Sequence, residues 1–172
     1  MEQELGQSSG VNKISPGFHF QPTALELLVH YLQPWVLGYT NYPGSINEHV
    51  DLYSNVNPDQ LKGSAIIHRD EYMYFYTMVK RKHVNGKKFS RSIVDGQGNS
   101  LGNWKASQKG EEIKGSNGVP IGVETHLVYY NVNKRKTSWL MVEYKLLDNP
   151  LNEENREWTI CKVYKGGRTN HE

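Results

Sequence analysis

Lysine and arginine crowd the middle of this chain. Lys80, Arg81 and Lys82 form one cluster, and Lys87, Lys88 and Arg91 form a second. Lys105 then falls within the segment Trp104-Lys105-Ala106-Ser107, and Lys109 follows it. Cations at this density suit a polyanion, because each phosphate they neutralise releases a condensed counterion. The spacing favours one surface. Asn85-Gly86 sits between the first two clusters and readily takes the positive φ angles of a type I′ turn, so the clusters fold back as a hairpin. A glycine-rich loop from Asp95 to Asn103 delivers residues 104–108 as one more short strand. Residues 1–79 carry three Lys and Arg against eight Asp and Glu, residues 80–145 carry thirteen against five, and residues 146–172 carry four against five. A total of only +2 therefore hides a strongly basic middle. Such asymmetry points to a nucleic acid or an anionic surface, with a merely solvated charged face as the bland alternative.

Other chemistries lack their residues. Seven His are scattered, and the lone Cys161 falls in an expected strand, so no metal-ligand spacing and no disulfide framework exists. There is no nucleophile elbow and no phosphate loop. Gly96, Gly98 and Gly102 lie between strands rather than before a helix. The expectation is therefore no enzyme, no cofactor, no metal and no small-molecule substrate. No apolar run approaches the roughly 20 residues of a membrane helix, and the N-terminus lacks the pattern of a secretory signal.

The positioning elements follow from periodicity. Residues 1–14 are polar and expected to be disordered, residues 15–166 form one domain, and residues 167–172 form a disordered tail. Thr23 caps a helix with Glu26 completing a capping box, and Leu25, Leu28, Val29 and Leu32 give it one apolar stripe. Pro34 is expected to end it. Asn57-Pro58 opens a second, short helix through Leu61. Strands are expected at residues 72–82, 88–94, 104–108, 111–114, 123–132, 137–147 and 157–165. The first, apolar on both faces, is expected to be central. Eleven Tyr and four Trp among nineteen aromatics suit such pleated surfaces. Trp104 and the run 72–76 read as core, Lys105 as exposed, and Lys134-Arg135-Lys136 as a hairpin tip. The fold class is α+β, a twisted antiparallel sheet of about six strands flanked by an N-terminal helix and a short second helix.

The residues then carry a resemblance. Pro16-Gly17-Phe18-His19-Phe20-Gln21-Pro22-Thr23 with Glu26-Leu27 and His30-Tyr31-Leu32, Val50-Asp51-Leu52-Tyr53, and Asn85-Gly86 with Arg91 and Trp104-Lys105-Ala106-Ser107 form three ordered blocks. Leu127-Val128-Tyr129-Tyr130 with Trp139-Leu140-Met141-Val142-Glu143-Tyr144-Lys145-Leu146, and Trp158-Thr159-Ile160-Cys161-Lys162-Val163-Tyr164-Lys165, form two more. Five blocks in this order resemble the DNA-binding domain of the plant NAC transcription factors. The resemblance implies a dimeric, nuclear, sequence-specific binder of duplex DNA that regulates transcription and reads a CGT-type core. It implies a strand edge at Trp104-Lys105-Ala106-Ser107 in the major groove, with Lys82, Lys87, Lys88, Arg91, Lys105, Ala106, Ser107 and Lys109 on the DNA. It also implies a homodimer or a heterodimer with another NAC protein, formed by Pro16, Gly17, Phe18, His19, Phe20 and Glu26.

The chain departs from the family pattern at telling places. His19 stands for the Arg that salt-bridges across the dimer to Glu26. Gln108 stands for a Gly, Glu111 for a Lys, and Glu124 and Thr125 stand near two lysines. Lys88 replaces an Arg, with loss of bidentate reach. Val142 replaces a His, His49 is an extra residue, and the usual Trp after Pro58 is missing. Glutamates at phosphate-facing places support an alternative: a divergent domain acting mainly as a protein-interaction module with weakened DNA binding.

Overall fold

The structure, a computed structural model, describes residues 19–39, 42–63, 65–68, 71–83, 85–86, 88–152 and 154–167. The N-terminal and C-terminal expectations for residues 1–14 and 168–172 lie outside them.

One helix, α1, comes first. It has an α-helical turn Ala24–Glu26, a π-helical stretch Leu27–Leu32 and a second α-helical turn Gln33–Val36. The capping box forms as the sequence indicates. Thr23 Oγ1 accepts the Glu26 N–H at 3.1 Å, and Glu26 Oε1 lies 3.4 Å from the Thr23 N–H. Pro34 does not end the helix. The chain passes through it to Val36, and Gly38 at φ 88° makes the exit. The wider π turn before Pro34 relieves the contact between its ring and the preceding carbonyls that an α-helix would impose. The second helix is a 3₁₀ turn, Pro58–Gly63, tied to the sheet by Trp139 Nε1 donating to Asp59 Oδ1 at 3.0 Å.

Eight strands follow: β1 Met73–Arg81, β2 Phe89–Ser90, β3 Ser92–Val94, β4 Ser100–Ala106, β5 Glu111–Lys114, β6 Pro120–Asn131, β7 Lys136–Leu146 and β8 Arg156–Lys165. The sheet order is β2-β1-β8-β7-β6-β4-β3, with β5 also on β6, and all of these strand pairs are antiparallel. The α+β class thus holds, with eight strands rather than about six. Seven strand ranges are expected from the sequence, and the eighth strand comes from the range 88–94. This range splits at Arg91, and its halves pair with opposite edges of the sheet. Since a single residue separates the two edge strands, the sheet must curl until its edges meet at a seam. Trp104 N–H donates to Arg91 C=O at 2.9 Å, one position beyond the Ser92–Asn103 pair of β3 and β4.

The strand β1 is next to the edge rather than central. Its apolar faces are buried because a segment around Asn47 covers its open side. Asn47 N–H and Nδ2 both donate to Tyr74 C=O at 2.8 Å, and Tyr76 N–H donates to Asn47 C=O at 2.9 Å. The turn after β1 is closed by Gly86 N–H on His83 C=O at 2.9 Å. Gly86 stays outside the left-handed region, so the expected type I′ geometry is absent there.

Apolar side chains fill both faces of the sheet. Leu61, Met73, Phe75, Val79, Ile93, Trp104, Leu127, Met141 and Cys161 lie inside the curl. Leu27, Leu28 and Leu32 of α1 cover Tyr74, Tyr76, Val142, Tyr144 and Ile160 on the other face. The helix packs tightly on Gly122, where a Cβ would overlap Leu28 and the Lys145 carbonyl. Gly122→Ala is therefore expected to cost about 2 kcal/mol, the range of core overpacking. Urea unfolding checks this, and an unchanged midpoint would refute the close fit.

Candidate nucleic-acid interface

The seam builds a cleft. Lys82 follows β1, Lys88 precedes β2, and Lys109 lies between β4 and β5. The curl brings these three, from opposite edges of the sheet, around one groove of about 560 Å³. Phe89, Arg91, Gly110, Val123, Thr125 and Lys145 complete its lining, which holds five cations and no carboxylate. Lys82, Lys88 and Lys109 are exposed. An open channel walled by exposed ammonium groups is suited to a phosphate backbone.

Arg91 differs from these lysines. Its Nε donates to Glu143 Oε2 at 3.1 Å and its Nη2 to Glu143 Oε1 at 2.8 Å, a bidentate pair. Its side chain is 14% exposed and that of Glu143 is 0% exposed. Glu143 also accepts from Tyr53 Oη at 3.2 Å and lies 4.0 Å from Lys145 Nζ. Lys145 reaches Glu157 at 3.7 Å, and Glu157 reaches Arg81 at 3.4 Å. The ring of Phe89 roofs this chain of charges, with Lys145 Nζ 3.2 Å, Arg91 Cζ 5.3 Å and Arg81 Cζ 5.7 Å from its centroid.

The electrostatics follow from burial and pairing. Burial pushes the Glu143 carboxyl up, but Arg91, Lys145 and the Tyr53 hydroxyl outweigh it and hold the group below its ordinary value. For Glu157 burial wins over Lys145 and Arg81, and its carboxyl is raised. Burial also lowers Lys145, against the pull of both glutamates.

The strand end lies beside the groove. Trp104 is buried against Tyr129, as expected for core, while Lys105, Ala106 and Ser107 are exposed. Alternation along β4 sends Lys105 and Ala106 to opposite faces. Lys105 Nζ stands 4.6 Å from the Tyr130 ring, on the face away from the groove. Among the described residues no strand pairs with the outer edge at Ala106, because β3 stops opposite Asn103. Ser107 ties the tip back to β6, its N–H and Oγ both donating to His126 C=O at 2.9 and 3.2 Å. Carboxylates flank this tip. Glu111 on β5 sits directly opposite Glu124 on β6, and Glu124 Oε1 is 3.0 Å from His126 Nε2.

Of the expected DNA-facing residues, the fold thus gathers Lys82, Lys88, Arg91 and Lys109 in one groove and Lys105, Ala106 and Ser107 at the adjoining tip. Lys87 lies outside the described residues, as do Pro16, Gly17 and Phe18 of the expected dimer strand. His19 is exposed. Phe20 packs within its own chain against His68, Tyr31 and Tyr74, with centroids 4.7, 5.5 and 4.9 Å away. Glu26 is exposed and occupied in the helix cap. Lys145 and Phe89 were not anticipated from sequence. Glu143 and Lys145 alternate with Met141 on an otherwise apolar strand, and that misplaced charge was the available signal.

Comparison with known proteins places this scaffold among plant transcription-factor domains. The family model described as "No apical meristem (NAM) protein" matches residues 15–146, and the chain belongs to this family. It is similar to NAC domain-containing protein 41 of Arabidopsis thaliana, 31% identical over 170 residues that cover 95% of this chain and 59% of that protein. It is similar to NAC domain-containing protein JA2 of Solanum lycopersicum, 36% identical over 160 residues that cover 88% and 43%. NAC transcription factor 29 of Arabidopsis thaliana is 34% identical over 162 residues, covering 88% and 57%. The chain thus spans about half the length of these relatives. No helix among the described residues is long and apolar enough to cross a membrane, and no group of three or more His, Cys, Asp or Glu there could hold a metal.

Proposed function

We propose that this domain binds duplex DNA sequence-specifically in the nucleus, as a homodimer or with another NAC protein, and regulates transcription. Convergence of Lys82, Lys88 and Lys109 on one groove beside an unpaired strand edge carries this reading. A strand edge fits a major groove about 12 Å wide. Ala106 and Ser107 then lie at base edges, Lys105 meets phosphate on one side of the edge, and the groove lysines meet phosphate on the other. His19 and Glu26, with residues 16–20, form the dimer contact.

The test is fluorescence anisotropy on a CGT-core duplex across a salt series. Each phosphate contact contributes about 0.9 to the slope of log K against log salt. Lys105→Ala is expected to lower that slope by about one, with a Kd weaker by roughly fivefold to tenfold. A slope unchanged by the loss of Lys105 would contradict its assignment. The opposed carboxylates of Glu111 and Glu124 beside the tip favour a second reading, an interaction module with weak DNA binding.

A further inference from the structure

We infer that Arg91 is a positioning residue, whose pairing with Glu143 pins the seam of the curled sheet and so sets the spacing of the phosphate-binding lysines. This rests on the DNA-binding reading of the groove and assigns Arg91 a place behind it, not on the phosphate.

Topology carries the inference. Arg91 is the one residue between β2 and β3, the two outermost strands of the sheet. Glu143 lies on β7, the middle strand of the seven in that order. The bidentate contact therefore spans the inside of the curl, from the seam to the strand opposite it. On one side of the seam lie Lys82, just after β1, and Lys88, just before β2, and on the other β4 leads to Lys109. The segment 47–55 also crosses there, bonded to Tyr74, Tyr76 and Thr77 of β1 at one end and to Val94 of β3 at the other, and the Arg91–Glu143 contact adds an ionic link from the seam to β7.

Pairing geometry explains why the guanidinium is held back from solvent. Two of its nitrogens are taken by one carboxylate, its face lies on Phe89, and most of its surface is covered. Withdrawing it toward a phosphate would leave Glu143 buried beside only Tyr53 and a distant Lys145, which is strongly unfavourable. Lys145 is placed similarly, between Glu143 and Glu157 and against the Phe89 ring. The floor of the groove is thus a fixed ionic layer, and the exposed lysines form its working rim.

Two readouts test this on the full chain. In the first, spin labels on Lys88→Cys and Lys109→Cys report the width across the seam without DNA. Cys161 is buried, so labelling is confined to the introduced thiols. A narrow distance distribution is expected in the otherwise unchanged chain, a broad one after Arg91→Met, and a broad one also in Arg91→Met with Glu143→Gln, where the link is absent although no charge is stranded; a narrow one there would assign the effect to the stranded carboxylate and overturn the inference. In that pair the opposing charges leave together, and the Gln oxygen still accepts from Tyr53. Equal widths in all three would overturn the inference.

In the second, unlabelled variants bind the CGT-core duplex. Arg91→Met should weaken binding about tenfold with the salt slope unchanged, and the double variant should stay similarly weakened, since it lacks the same link. Lys88→Met is the contrasting case and should lower the slope by about 0.9. A slope that falls by the same amount in Arg91→Met would make Arg91 a phosphate contact and overturn the inference. Absence of selective binding in the parent chain would fail the DNA reading instead, and the label distances would then decide the positioning role alone.

Discussion

Glu143→Ala is expected to lower unfolding free energy by about 3–5 kcal/mol, the cost of stranding a buried charge. Three groups depend on this carboxylate: the Arg91 guanidinium, the Lys145 ammonium and the Tyr53 hydroxyl. Solvent cannot replace it, because Glu143 has no exposed surface. Urea denaturation measures the loss, and a change below about 1 kcal/mol would mean that the site relaxes to let water in. The pH dependence has a definite sign. Glu143 has a depressed folded pKa, so its stabilisation is complete above the unfolded value near 4.3 and is lost as pH falls through the folded one. Glu157 works oppositely. Its folded pKa is raised, so its contribution is complete below the unfolded value and declines as pH rises through the folded one. Glu143→Gln should therefore flatten the acid limb of the stability profile below about pH 4 while leaving the Glu157 component.

The second large effect is a gain. Glu111→Lys with Glu124→Lys should tighten duplex binding by at least about tenfold at moderate salt and steepen the salt slope by about two. Both carboxylates lie beside the strand tip, directly opposite one another on β5 and β6. Two lysines so placed repel each other as the two glutamates do, so the gain comes from phosphate attraction replacing phosphate repulsion at both positions. The same salt-series anisotropy reads the result. No gain would show that this flank lies away from the DNA, and would favour the interaction-module reading.

Much of this was legible in the sequence, and the reasons are local. The capping box at Thr23 and Glu26 and the two-residue alternation of β6, β7 and β8 are set by neighbours in the chain. The burial of Trp104 and the exposure of Lys105 follow from the same alternation. The expected stripe of α1 holds at Leu28 and Leu32 only: through the π-helical stretch Leu27 is buried, Leu25 is half-buried and Val29 is exposed. What escaped depends on distant partners. Residues 88–94 read as one strand, and only closure of the sheet divides them between two edges. Arg91 read as one more cation of a basic hairpin. Its carboxylate is 52 positions away, and nothing near Arg91 announces it. Pro34 read as a helix stop because the compensating π turn has no sequence signature of its own. The pairing of Asn47 with Tyr74 was likewise invisible, and it covers an edge that apolar composition alone made look central.

The central claim is that the basic seam and its strand edge read duplex DNA. Its most direct measurement compares the purified domain on a CGT-core duplex and on a scrambled duplex of equal length and composition, across a salt series. The account predicts core-selective binding with a steep salt slope, lowered by about one in Lys105→Ala. Equal weak binding to both duplexes, or none at low salt, would contradict it.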